Sequence, residues 1–500
     1  MVHVLFHWYN KGVMWIRRFL LLSLILFLSV SLGCARNDAT GKRQFNIVSD
    51  EEEMKLGKAG DDQIRKEYGV YRDPKLQAYV TKIGQHIVGF SGRSGITYHF
   101  TVLDSPIINA FALPGGYIYV TRGLLAQLNS EAELAFVIGH EISHVAARHG
   151  AQRLSQYRGV VFVNVLASIF AKDFSDNWGG LVNKGVELSV RGYGRDNEFE
   201  ADLLGAQYVY EAYYHPEEFD DFFYTLKRQE KYESNWLQNL HASHPPTTER
   251  IERLQKKVAP YIEKEGSAIT AFQIKRKEYL EMIKGIFVGK GSVLGHLKGR
   301  QYENIAYGMA FVLPSTWTVK AATDPKALLD FKGKKSPLKM TLYIENPSPA
   351  YSIKKSVGHY LPLKARKLGH KTINYPYASA YQTRYSLYTE AIGRTVEIST
   401  YYLHENKLYR FVCNVQRSSV ASVEKELNDF FSSFGFMSKQ RLDKEGAYHL
   451  VIHEVKKGDT LKSISDHYGL KDGVQRLIAF NGFSKEPTFS VGDLIKIPSH

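Results

Sequence analysis

Two histidines four residues apart, with a glutamate directly after the first, are the residues of this chain best suited to chemistry: His140-Glu141-Ile142-Ser143-His144. On a helix, positions four apart lie about 40° apart around the axis, so both imidazoles can reach one metal ion. Glu141 then lies beside that ion, placed to take a proton from an attacking water. The stretch from Ala132 to Ala147 reads as one continuous helix, almost wholly apolar around the motif. Ionisable groups on such a helix are costly without a partner, and a divalent cation supplies one. A catalytic zinc needs a third protein ligand and one open position. His149 falls on the opposite face of a continued helix and is excluded as that ligand. Further on, Glu198 and Asp202 are four apart and share a helical face, while Glu200 points elsewhere. Either acid could bind the metal while the other fixes the tautomer of a ligand histidine. Helical geometry does not choose between them.

These groups need elements to position them. The segment from about residue 47 to 290 reads mainly as helices, interrupted by strand-like runs at Tyr98–Val102 and Tyr117–Val120. Period-two runs dominate residues 296–440, including Tyr409, Phe411, Cys413 and Val415, with a hairpin expected across Glu405-Asn406. Helical patterns near Ile353–Leu368 and Val420–Phe431 make this an α+β unit of unknown role. Residues 450–499 read strand, helix, helix, strand as a separate small unit. The expected fold is multidomain.

Several blocks occur in order along residues 50 to 290: Asn109 to Gly116, Thr121-Arg122-Gly123-Leu124-Leu125, the histidine helix, Glu198-x-x-Ala201-Asp202, and His244-Pro245-Pro246 with Arg250. Together they resemble the gluzincin family that includes the CAAX prenyl proteases and the HtpX membrane proteases, and most closely its soluble periplasmic branch. That likeness implies a zincin-like, mainly α (α+β) metalloprotease domain holding one Zn2+. It makes Glu198 the third ligand beside His140 and His144, and puts Asp202 behind them. It also brings His244 and Arg250 into the active site, as catalytic residues beside Glu141. His244 would either donate to the oxyanion or occupy the open metal position in a resting state. The substrate-binding face would include Asn109, Ala110, Gly116, Tyr117 and Tyr119, the strand from Tyr117 offering its free edge to an extended peptide. Gly159 to Ala171 is apolar but too short to span a bilayer. It is expected as a core helix or a lid.

The C-terminal unit carries Val455-Lys456-Lys457-Gly458-Asp459-Thr460-Leu461, Asn481-Gly482 and Val491-Gly492-Asp493. It resembles the LysM domain, a small βααβ module, which implies binding to N-acetylglucosamine glycans such as peptidoglycan. Gly458, Asp459, Thr460 and Asn481 would line the groove.

At the N-terminus, Arg17 and Arg18 precede an apolar run from Phe19 to Leu32 that ends at Gly33-Cys34. This describes a secretory signal over residues 1–33, with Met14 a candidate start and an uncleaved anchor the alternative. The Gly-Cys pair resembles the bacterial lipoprotein box, which implies lipidation of Cys34. Residues 34–46 would be a tether, and Ala35 lacks the Asp of inner-membrane retention, pointing to the outer membrane. With only Cys34 and Cys413, a disulfide framework and a thiolate zinc finger are excluded. The net charge of +14 comes without a run of five basic residues, so no nucleic-acid partner is expected. The resulting expectation is a lipid-anchored envelope endopeptidase, facing the periplasm, that acts on unfolded or extended polypeptides and binds peptidoglycan. Two rivals are an assembly factor or chaperone with a gated or inactive site, and a wall-binding scaffold.

Overall fold

The computed structural model describes residues 34–46, 48–156, 193–219, 221–225, 227, 244, 248–289, 292–324, 326–345, 353, 365–389, 393–444, 448–470 and 473–498. The signal segment and the apolar run Gly159–Ala171 lie outside them. The chain opens with a hairpin, β1 (Cys34–Arg36) paired antiparallel with β2 (Arg43–Phe45). The expected tether is therefore a folded element. Asn37 is buried and its Nδ2 donates to the Ala146 carbonyl at 3.0 Å, which packs the hairpin against the helical unit that follows.

Helix α1 (Asp50–Tyr68) starts at Ser49, whose hydroxyl accepts from the Glu52 N–H, and α2 (Pro74–Val88) at Asp73, with Pro74 pre-set for the first turn. A three-stranded sheet follows: β3 (His99–Leu103), β4 (Ala110–Leu113) and β5 (Tyr117–Thr121). The β4–β5 turn runs through Gly115 and Gly116, at φ 80° and 93°, where a side chain would be strained. The strand order is β3-β5-β4, so β5 is central and hydrogen-bonded on both sides. This corrects the expectation that Tyr117 and Tyr119 offer a free edge. Tyr119 is fully buried with its hydroxyl on Asp61, and Tyr117 stacks on His99. Among the described residues β4, which follows Asn109, pairs with β5 alone.

Short α3 (Arg122–Gln127) leads into α4 (Glu131–Ala146), capped by Ser130 with Glu131 and Glu133 in its first turn. Every residue of α4 is buried, so this helix is the axis of the unit. Helices α5 (Arg195–Glu211), α6 (Thr248–Glu265) and α7 (Arg276–Ile283) also belong to it.

The middle unit is a seven-stranded antiparallel sheet plus a four-stranded one, filled by α8 (Val420–Phe431), which buries Val423, Leu427, Phe430 and Phe431. Glu405 and Asn406 form the expected tight turn, both with positive φ. The helix expected to reach Leu368 does not, because Arg366–Asn374 is an edge strand of the larger sheet. Cys413 is buried in this core.

The last unit has β6 (Val451–Glu454), α9 (Leu461–His467), α10 (Gly473–Phe480) and β7 (Leu494–Ile497), with β6 and β7 antiparallel. The sequence predicts a separate unit, but it is not separate, because Leu450, Ile452 and Phe480 belong to the core of the helical unit of residues 50–283. Lys496, fully buried, donates to the carbonyls of Ala126, Gln127 and Leu128 at 3.1, 2.6 and 2.9 Å. Burial pushes its ammonium well below the ordinary range, yet three acceptors match the three N–H groups of the charged form. Asn481, expected in the glycan groove, is also buried. Its Oδ1 accepts from Lys496 N–H at 2.7 Å, and Arg276 of α7 reaches its carbonyl. Asn481 is thus a structural residue of the joint. Asp459 is tied into its loop by Lys456 N–H and His453, and Thr460 caps α9. Removing the Lys496 cation strands buried carbonyls, so Lys496→Met should lower stability by about 2–4 kcal/mol in urea unfolding of the full chain. An unchanged midpoint would show that the joint does not depend on it.

Candidate metal centre

The site forms where α4 and α5 cross. A Cβ on Gly139 would lie 2.5 Å from Val209 Cγ2, and one on Gly205 2.9 Å from His140 N. Glycine at both positions lets the helices approach closely enough for α5 side chains to reach α4's histidines.

Four donors converge there: His140, His144, Glu198 and His244, all buried, with ligand atoms within 4.8 Å of one another. His140 Nε2 lies 3.0 Å from His144 Nε2 and 3.3 Å from His244 Nδ1. Glu198 oxygens lie 3.5 Å from His140 Nε2, 3.4 Å from His144 Nε2 and 3.0 Å from His244 Nδ1. Donors about 2.0–2.2 Å from a tetrahedral zinc lie about 3.3–3.5 Å from each other. The spacing fits zinc, and so does the donor chemistry of three imidazoles and a carboxylate.

Asp202 stands behind the ligands, Oδ1 2.9 Å from His140 Nδ1, which fixes that ring with Nε2 free for the metal. Arg250, on α6, grips Asp202 with Nε and Nη2 at 2.7 and 2.8 Å and reaches Glu198 Oε2 at 3.1 Å. It holds the carboxylates from the rear, so the catalytic part expected of it becomes a positioning one. Glu141 is buried with Oε1 3.5 Å from His244 Nε2, and its Oε2 finds no hydrogen-bond partner among the described residues. That orphaned oxygen suits a base whose partner is a water or substrate.

Burial is the largest influence on His140 and pulls its pKa down, but Asp202 and Glu198 outweigh it and lift it to about 10. For His144 burial wins, leaving the ring well below the ordinary value and hence neutral. Burial opposes ionisation of Glu198 too, yet His244, His140 and His144 hold it well below the carboxylate range. Burial raises Glu141.

Two neighbours were not legible in the sequence. The ring of Tyr193, two residues before α5, stacks on His144 with centroids 4.0 Å apart. His149 does not continue α4. The helix ends at Ala146, Arg148 turns at φ 59°, and His149 comes round behind His144, Nδ1 to Nδ1 2.8 Å. It is no ligand, but the reason is this turn rather than an opposite helix face. Arg148's left-handed turn costs about 1 kcal/mol, and Glu53, 3.0 Å away, holds its guanidinium in place.

Residues 74–258 match the model of Peptidase family M48, and residues 453–498 that of the LysM domain. The chain thus carries an M48 peptidase domain and a C-terminal LysM domain, and zinc is the metal its donor set calls for. It is 28% identical over 221 residues to the mitochondrial metalloendopeptidase OMA1 of Schizosaccharomyces pombe, covering 43% of this chain and 64% of that protein. It is 30% identical to the beta-barrel assembly-enhancing proteases of Yersinia pestis, covering 41% of this chain and 43% of that protein, and of Escherichia coli strain K12, covering 40% and 42%. The match thus spans less than two thirds of each relative.

The raised His140 value means the metal-free protein holds a proton there at neutral pH, while His144 holds none. Zinc must displace that proton, so its affinity should fall about tenfold per pH unit as pH drops from 9 to 7. Calorimetry at pH 7 in buffers of different ionisation enthalpy should report about one proton released per zinc. Release of none would contradict the charge state assigned to His140.

Proposed function

We propose that this chain is a zinc-dependent endopeptidase of the bacterial cell envelope that cleaves misfolded or damaged envelope proteins. The observation that carries the reading is the buried cluster His140, His144, Glu198 and His244 with Glu141 alongside. Zinc held by His140, His144 and Glu198 would supply Lewis-acid chemistry for hydrolysis of the scissile carbonyl. Glu141, whose pKa burial raises, takes the proton from the attacking water and returns it to the leaving amine. Asp202 and Arg250 keep His140 and Glu198 in place while charge moves. An extended polypeptide would bind at Asn109 and Ala110, at the start of β4. Folded proteins present few such segments, which suits a substrate that has lost structure.

The LysM domain supports a peptidoglycan partner, with Gly458, Asp459 and Thr460 on its accessible side, and Asn481 withdrawn from that set. Lipidation of Cys34 would place the molecule on the periplasmic face of the outer membrane, and the likeness to the beta-barrel assembly-enhancing proteases supports envelope work. His244 fills the fourth corner, which supports a resting state closed by that residue over an oxyanion role. An assembly factor with a gated site remains a second reading on the same observation.

Hydrolysis of a disordered test protein by the full chain should stop on zinc chelation and return with zinc. Glu141→Gln should keep its zinc and lose about 100-fold or more in kcat; equal cleavage by that variant would defeat the mechanism. If His244 closes the site, His244→Ala should raise turnover on the same substrate. A fall of about 100-fold would instead assign it to the oxyanion.

A further inference from the structure

The two ligand histidines of α4 are supported differently. His140 leans directly on Asp202, but His144 has a histidine behind it, with a carboxylate one step further back. A histidine binding metal through Nε2 carries its proton on Nδ1. His144 Nδ1–H therefore donates to His149 Nδ1, 2.8 Å away. That leaves the proton of a neutral His149 on Nε2, which donates to Glu200 Oε2 at 3.0 Å. Glu200's other oxygen accepts from Lys42 Nζ at 2.6 Å. Direction and tautomer are fixed at each step by the one before.

The chain of contacts ends in the N-terminal hairpin, between β1 and β2. The hairpin is seated independently by Asn37 on the Ala146 carbonyl and by Ala39 against Gly92, where a Cβ would lie 2.4 Å from Ala39 Cα. Ala146 is the last residue of α4, so the hairpin grips the end of the helix that carries both histidines. Glu200 comes from α5, two residues from Glu198 on one side and from Asp202 on the other. One helix thus supplies a ligand and the carboxylates behind both ligand histidines. An ordinary buried histidine would be satisfied by any backbone group. His149, with no exposed side-chain surface, instead spends both nitrogens on the line from a ligand to a carboxylate.

We propose that His149 is a positioning residue that orients His144 for the metal, and that the hairpin following Cys34 steadies it through Lys42 and Glu200. This rests on the reading of the site as a zinc centre. The contributions should be graded. Removing a group behind a metal ligand weakens metal binding by about 10–100-fold. Lys42 is 71% exposed, so its pairing with Glu200 is screened and should count for no more than about fivefold.

The test measures zinc affinity of the full chain by competition with a chromogenic chelator, and the visible spectrum of the cobalt-substituted protein. His149→Leu should bind zinc about 10–100-fold more weakly and shift the cobalt bands. His149→Asn, which keeps an acceptor for His144, should recover part of the loss. Glu200→Gln should fall between His149→Leu and Lys42→Met, and Lys42→Met should lose fivefold or less. Equal affinity and an unchanged cobalt spectrum in His149→Leu and Glu200→Gln would overturn the proposal while the zinc reading stands. A parent protein that binds no zinc would overturn the zinc reading itself. If His149→Leu does not fold, His149→Asn and Glu200→Gln decide: unchanged affinity in both is the negative result.

Discussion

The approach of α4 to α5 at Gly139 and Gly205 is the constraint from which the rest follows. Every ligand except His244 comes from those two helices, and no side chain could span a wider gap between them. A Cβ at Gly205 would meet the backbone of His140 itself, so an alanine there would move a ligand rather than a bystander. The crossing also decides which acid does what. Glu198 lies in the first turn of α5, reaching the imidazole tips, while Asp202 lies one turn on and meets His140 from behind. Helical spacing leaves the two acids equivalent; the crossing point breaks the tie.

The same closeness concentrates charge. Glu141, Glu198 and Asp202 are all buried within a few ångströms, and such a group of carboxylates would not stay ionised in an apolar interior unaided. Arg250 supplies one compensating charge and His140 a second in the metal-free state. A dication held by His140, His144 and Glu198 would take the place of the proton on His140 and add to the compensation. Metal binding and acid–base balance are therefore one equilibrium here, and folding of the centre is tied to both.

What the sequence made legible tracks how local each feature is. The pairing of His140 with His144 and the shared face of Glu198 and Asp202 need only helical periodicity. The turn at Glu405-Asn406 needs only two residues that tolerate positive φ. The position of β5 is different, because strand order is decided by distant segments and composition cannot tell a central strand from an edge. His149 was misplaced because extending α4 ignores Arg148, whose turn depends on Glu53 far away in the chain. Lys496 and Asn481 sit in segments that look like solvated surface, and only the packing of α7 and α10 shows that both are buried.

Helix α4 is held at both ends by parts of the chain that lie outside the M48 match. At its start, Lys496 of the LysM domain takes the carbonyls that close α3, next to the Ser130 cap, while Glu133 in the first turn of α4 accepts from Asn129 N–H. At its finish, Asn37 of the hairpin takes the Ala146 carbonyl. A helix leaves carbonyls unsatisfied at its C-terminus, so a donor brought by a separate element is held where the helix most needs one. In the proposed setting one of these elements faces the cell wall and the other follows the lipid. Force or displacement at either attachment would then act along the helix that carries His140, Glu141 and His144, rather than through a flexible linker. In that setting the two attachments would be structural supports of the metal centre as well as anchors.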